Sequence, residues 1–342
     1  MLKSKNIFLF ASLTFLMLVL FLMDIGLGQV SIPLREVFKS LTGQEASKET
    51  WQYIIVNFRL PKAITAILVG MGLSISGLLM QTLFRNPLAG PYVLGLSSGS
   101  SLGVAFVILG ASLLPSMFSS LVTSSYGIII ASWLGSFMVL SAVLVVSQRL
   151  RNTMSILIVG MMFGSFTSAF VGVLTYFSTA EQLQKFTFWS LGNLGNLSWS
   201  SIVILAISVL IGLFLSLVSI KSLDALLLGE NYAKSLGLNF KKVRLIIIFA
   251  TSILAGSITA FAGPIAFIGL AVPHIAKLVF QTSSHRVLFW GTLLFGAIIM
   301  LVCDIVSQVP GTDIILPINA ITSIIGAPVV IWLLVGKRKM TA

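Results

Sequence analysis

The sequence predicts an all-α protein that crosses a membrane about ten times. Three observations carry this. Of 342 residues, 57% are hydrophobic and only 9% charged, against about 25% charged in soluble domains. Mean hydropathy is +1.07. Apolar residues also come in long runs without a charge, such as VILAISVLIGLFLSLV at 203–218. Such runs suit helices of about 20 residues that cross a bilayer. A transmembrane barrel needs polar and apolar residues in alternation, and these runs are apolar on every side.

Spans are expected at 7–27, 62–82, 92–112, 126–147, 154–177, 199–219, 243–262, 264–280, 287–306 and 317–335. The first follows Lys3 and Lys5 and has no small-x-small cleavage site after it, so it is expected to be retained. The long connection 28–61 contains PLREVFKSLTG, whose amphipathic pattern suits a surface helix. FRNPLAGP (84–91) joins spans two and three, and its two prolines and asparagine fix a rigid turn. The connection 178–198 is aromatic and glycine-rich, as interfacial segments are. Pro264, Pro273 and His274 interrupt the eighth span. Small residues cluster in GMGLSISG (70–77), GLSSGSSLG (95–103) and GMMFG (160–164). They suit close packing of helices in lipid; lining a path is the alternative. A single transmembrane domain over 1–342 is expected, with no separate soluble part.

The net charge is +12. In a soluble chain this would suggest nucleic acid, which is not an expected partner here. Asymmetry across a bilayer is the better account. With both termini in the cytoplasm, fifteen of the 21 basic residues fall inside, whereas only Asp224 and Glu230 among the 9 acids do. Other chemistry is largely excluded. Cys303 is the one cysteine, so no intrachain disulfide or cysteine metal site is possible. No Gly-x-x-x-x-Gly-Lys-Ser/Thr phosphate loop occurs, so the chain is not expected to bind or hydrolyse ATP itself. His274 suits a packing role and His285 a solvated turn. Asp24, Lys277 and Asp304 fall near span ends, which gives little support to an ion-driven carrier. No clustered His, Asp and Glu suggest a membrane-embedded enzyme.

GENYAKSLGLNFKKVR (229–244) stands out, with five charged residues among sixteen. It lies in a longer connection. SLDALLLG has Ser222 as candidate N-cap, Asp224 in the first turn and Gly229 at the stop. ENYAKSLG repeats the plan, with Glu230, then Lys234 four residues on, then Gly237. A bare connector needs only a few residues. Two short helices over 222–240 therefore suggest a docking element on the cytoplasmic side; an interfacial helix on lipid is the alternative.

Several stretches now match a known family in order: RLPKAITAILVGMGLSISGLLMQTLFRNPLAGPYVLGLSSGSSLG (59–103), FWSLGNL (188–194), LLLGENYAKSLGLN (226–239), GPIAFIGLAVPHIAK (263–277), SSHRVL (283–288) and IIGAPVVIWLL (324–334). The chain resembles the FecCD-type permeases of bacterial ABC importers for iron–siderophores, haem or vitamin B12. The resemblance implies a ten-span type II importer permease in the inner membrane, paired as a homodimer or with a paralogue. It implies two cytoplasmic ATPase subunits that use the ATP, and an external substrate-binding protein. Carried onto this chain, Leu228, Gly229, Glu230, Ala233 and Gly237 would form the ATPase-coupling surface. Arg59 and Lys62 would meet acids of the binding protein.

The chain departs from the family pattern at Ser307, where a basic residue is expected, at Ile315 for Glu and at Asn319 for Gly. Asp313 adds an acid nearby. One docking contact is therefore expected to be missing or replaced. The function expected is the permease subunit of an ATP-driven importer of an iron–siderophore or related chelate. Haem or vitamin B12 import by the same architecture is the alternative, and a stand-alone carrier or channel the second.

Overall fold

The computed structural model describes residues 4–111, 124–149, 153–235, 237–312 and 314–337. The described residues form helices and connections, with no strand among them. Two compact units divide the chain: 1–75, 193–207 and 265–342 form the first, and 76–192 and 208–264 the second.

The first unit holds α1 (Ser4–Gly26), α2 (Leu34–Leu41), α3 (Glu49–Ile54), a π-helical turn Ile55–Arg59 and the start of α4 (Leu60–Phe84). It also holds the start of α9 (Trp199–Val218), then α13 (Ile268–Phe280), α14 (His285–Ser307) and α15 (Ile318–Lys337). The second holds the end of α4, a 3-10 turn Pro91–Leu94, α5 (Leu96–Ile108), α6 (Ser125–Arg149), α7 (Thr153–Tyr176) and α8 (Ala180–Ser190). The rest of α9, α10 (Ile220–Leu227), α11 (Glu230–Ser235) and α12 (Phe240–Ala262) complete it.

Among the described residues, seven helices are long and apolar enough to cross a membrane, and three shorter apolar ones join them, Leu96–Ile108, Ile268–Phe280 and Ile318–Trp332. Each overlaps one of the ten expected spans. α13 has 13 residues, about 20 Å of helix, against a hydrocarbon layer of about 30 Å. Non-helical backbone precedes it. Such backbone is tolerated at membrane depth only where protein covers it and its polar groups are met. Asn319 supplies part of that cover: its Oδ1 accepts the Ala266 N–H at 3.0 Å. Asn319, one of the departures named from the sequence, thus has a structural task.

The small-residue clusters do pack helices. Gly70 of α4 faces Gly296 of α14 so closely that a Cβ on either would strike the other's carbonyl. Ser74 Oγ bonds the Gly70 carbonyl at 2.6 Å and the Thr292 carbonyl at 3.2 Å. In the second unit Gly99 and Gly103 of α5 meet Gly135 and Ala131 of α6, and Ser100 bonds Ser136. Close backbone approach of this kind gains dispersion contacts, the main attraction between helices in lipid.

The 28–61 connection is more structured than its pattern predicts. α2 buries Glu36, Val37 and Ser40 and exposes Leu34, Phe38 and Leu41. Val37 packs with Ile25, Ile32, Ile55 and Ala63. The 178–198 connection contains α8, opened by a Thr179–Gln182 capping box. Its Phe186 and Trp189 pack on the α5 cluster around Val104 and Ile108. One expectation changes. His285 starts α14 rather than sitting in a solvated turn, and it is 1% exposed. Its place in the first helical turn points it into the packing. Cys303 is free and fully buried in α14.

Candidate functional site

The first candidate region is the helix pair between α9 and α12. α10 begins at Ile220, two residues before the expected cap Ser222. Ser219 keeps helical dihedrals and its hydroxyl bonds back to the Leu215 carbonyl at 2.9 Å. The chain therefore turns from α9 into α10 with almost no connector. Gly229 ends the pair's first helix with φ +117° and Gly237 follows the second with φ +83°, as their positions predict. Asn239 caps α12, its Oδ1 accepting the Lys242 N–H at 3.2 Å.

Burial sorts the expected coupling residues. Leu228 is exposed, Gly229 half-buried and Gly237 exposed. Glu230 heads α11. Ala233 is fully buried and packs inward, beneath the surface rather than in it. Two residues not singled out from sequence join Leu228 outside: Leu227 at 49% exposure and Tyr232 at 53%. The signal for them is the Leu226–Leu227–Leu228 run. Successive helical residues point about 100° apart, so one inward face cannot take all three. Leu226 is buried and the other two are not.

Arg85 holds this pair. The end of α4 is a Schellman closure, with Asn86 N–H on the Gln81 carbonyl at 3.1 Å and Arg85 N–H on the Thr82 carbonyl at 3.2 Å. The left-handed position in that closure normally takes glycine, yet here it is Arg85 with φ +48°. Holding a non-glycine residue there costs about 1–2 kcal/mol. Its side chain reaches across the fold: Nη2 donates to the Leu226 carbonyl in the last turn of α10 at 2.8 Å. The same nitrogen lies 3.5 Å from where a Cβ on Gly229 would sit. A guanidinium is favourable at a helix C-terminus, where carbonyls and the negative dipole end converge.

The second region is a charge cluster in the first unit. Lys62 Nζ lies 3.0 Å from Asp304 Oδ1. Gln308 Nε2 donates to Asp24 Oδ1 at 2.9 Å and to Asp304 Oδ2 at 3.4 Å. Both carboxylates are almost fully buried, at 2% and 1% exposure. Arg59, carried on the π-helical turn, donates to the carbonyls of Ile25 at 2.8 Å, Gly26 at 2.9 Å and Val30. It thereby closes the C-terminus of α1. A Cβ on Gly28 would lie 2.8 Å from Arg59 Nη2 and 2.9 Å from Gln308 Oε1, so only glycine leaves room for both. Arg59 and Lys62, expected to face a binding protein, thus have their charged heads engaged within the chain.

Ser307 sits inside this cluster. It is 3% exposed, and its hydroxyl donates to Asp304 O at 2.7 Å and Oδ1 at 3.3 Å. Lys62 supplies the positive charge beside Asp304, so an uncharged residue at 307 leaves that carboxylate paired. Ile315 is exposed. Asp313 lies outside the described residues. Among the described residues no group of His, Cys, Asp and Glu could hold a metal ion.

A family model described as the FecCD transport family matches residues 16–336. The chain belongs to this family. FecCD relatives cover nearly all of it. The hemin transport system permease protein HmuU of Yersinia pestis is 32% identical, over 96% of this chain and 96% of its own. The vitamin B12 import system permease protein BtuC of Klebsiella pneumoniae is 34% identical, over 95% and 93%. A solved metal-chelate type ABC transporter in an inward-facing conformation superposes with a TM-score of 0.83. It is 30% identical, over 96% of this chain and 99% of that one. The FecCD assignment makes the chain a multi-pass ABC transporter permease, a transport subunit.

Proposed function

We propose that this FecCD chain is the membrane subunit of an ATP-driven importer that moves an iron–siderophore or related metal chelate into the cytoplasm. The observation that carries this is the α10–α11 pair. Leu227, Leu228 and Tyr232 stand exposed on a short, glycine-jointed element, a surface that a stand-alone carrier has no use for. Apolar and aromatic side chains of this kind anchor protein interfaces. On this reading the pair faces the cytoplasm with both termini, and two ATPase subunits seat on it. A second copy of the chain or a paralogue completes the pathway. An external binding protein delivers the chelate. The chain itself holds no ATP; its partners consume it. The setting is the cytoplasmic membrane.

Haem or vitamin B12 is the second reading for cargo, favoured by the hemin and vitamin B12 systems among the relatives. Uptake by proteoliposomes tests both levels. Vesicles carrying the chain, its ATPase and its binding protein take up one of ferric siderophore, haemin or cobalamin only when ATP is supplied. Uptake by the chain alone, without ATPase, overturns the importer reading.

A further inference from the structure

We propose that Arg85 is the positioning residue that ties the α10–α11 pair to α4, so that movement imposed on the pair is delivered to that helix. The proposal rests on the coupling reading above. Three observations carry it.

The first is the backbone. Arg85 occupies the left-handed position of the α4 closure, where glycine would sit without strain. Strain retained at such a position marks a side chain that has work elsewhere. The second is the reach. The guanidinium spans 141 positions of sequence to the Leu226 carbonyl. It stands at the joint where Gly229 lets α10 turn into α11. The third is the setting. α4 is a single helix of 25 residues. Beyond Arg85, Asn86 Oδ1 accepts the Leu88 N–H at 2.9 Å, and the Ala89 N–H bonds the Asn86 carbonyl at 3.0 Å. The segment after Arg85 is thus held by its own bonds and cannot absorb a displacement freely. Arg85 bonds to a carbonyl next to the exposed pair Leu227 and Leu228, so a partner pressing on those leucines pushes on the turn that Arg85 grips.

A purely structural cap is the competing account, and the left-handed backbone separates the two. Arg85→Gly removes the side chain and relieves the backbone strain together, so α4 keeps its closure. The test uses the full complex with its ATPase in nanodiscs, read by amide hydrogen exchange with and without ATP plus vanadate. In the wild type, trapping changes exchange both in 220–237 and in 82–95. In Arg85→Gly the resting exchange at the end of α10 rises by about tenfold, the size expected for one charge-assisted bond. The trapping response then stays in 220–237 and is lost from 82–95. Arg85→Lys, which keeps a cation within reach, restores part of it. A response in 82–95 that persists in Arg85→Gly overturns the proposal. So does a loss of thermal stability and of ATPase association together, which is what a structural cap predicts. Leu228→Asp is the control for the underlying reading. If that variant still binds ATPase fully, and the wild type shows no trapping response in 220–237, the coupling reading itself has failed.

Discussion

Lys62 Nζ lies 3.0 Å from Asp304 Oδ1, joining the first turn of α4 to the last turn of α14. The carboxylate side chain is 1% exposed and the lysine side chain 18%. Breaking a buried pair by removing one partner is costly, because it strands a charge. Lys62→Ala is expected to destabilise the protein by about 3–5 kcal/mol. Lys62→Met combined with Asp304→Asn is expected to recover most of that, since neither member of this ion pair is then left charged without the other. Thermal unfolding in detergent checks it: the single variant melts well below the double. Equal melting temperatures would sink the idea.

Acid should loosen the α2–α3 segment through Glu36. The Ser47 N–H, at 2.7 Å, and the Lys39 ammonium, at 2.9 Å, hold its carboxyl at about 2, down from 4.5. A group depressed in the folded state adds stability that is complete above its ordinary value. That stability is lost as pH falls through the folded value. Loosening is therefore expected between pH 4.5 and about 2. Pepsin cleavage within 41–49 reads it. Wild type resists cleavage near pH 4, whereas Glu36→Gln is already cut there.

Gly296→Ala places a methyl against the Gly70 carbonyl and Ser74 Oγ. Overpacking of this kind costs about 1–3 kcal/mol. Gly172→Ala, in α7, meets nothing within 4 Å and is expected to be neutral or slightly stabilising, since alanine favours helix. Melting temperatures of the two variants check the contrast. A neutral Gly296→Ala would show that α4 and α14 can separate without loss.

On the exposed pair, Leu228→Asp and Tyr232→Asp are each expected to weaken ATPase association by about 30-fold, the scale of an interface hot spot. Both leave the chain inserted and folded. Ala233→Asp is different, because Ala233 is fully buried. It is expected to lower thermal stability as well as binding. Titration of purified ATPase onto immobilised permease, with a parallel melting curve, separates the two effects.

The span plan was legible in the sequence because apolar runs of near 20 residues have one use. Even α13 could be placed, although its helix starts at Ile268 rather than at Pro264. The stops at Gly229 and Gly237 were legible too, since a left-handed closure selects glycine. Arg85 was not, for the same reason. An arginine in a glycine's position gives no pattern, and the carbonyl it reaches lies 141 positions away. Nor do Asp24 and Asp304 announce a shared cluster, for Gln308 joins them only once α1 and α14 are packed. Arg59 and Lys62 look like free external cations in the sequence because its pattern shows charge but not the carbonyls and carboxylate that occupy it.

Cys303 has one further consequence. The chain's one thiol is sealed inside α14, out of reach of water-soluble maleimides. A cysteine introduced on the surface would then carry a probe alone, with no background to subtract. Spin or fluorophore pairs at Leu228 and at exposed sites on α7 could follow the transport cycle without first stripping a native residue from the fold.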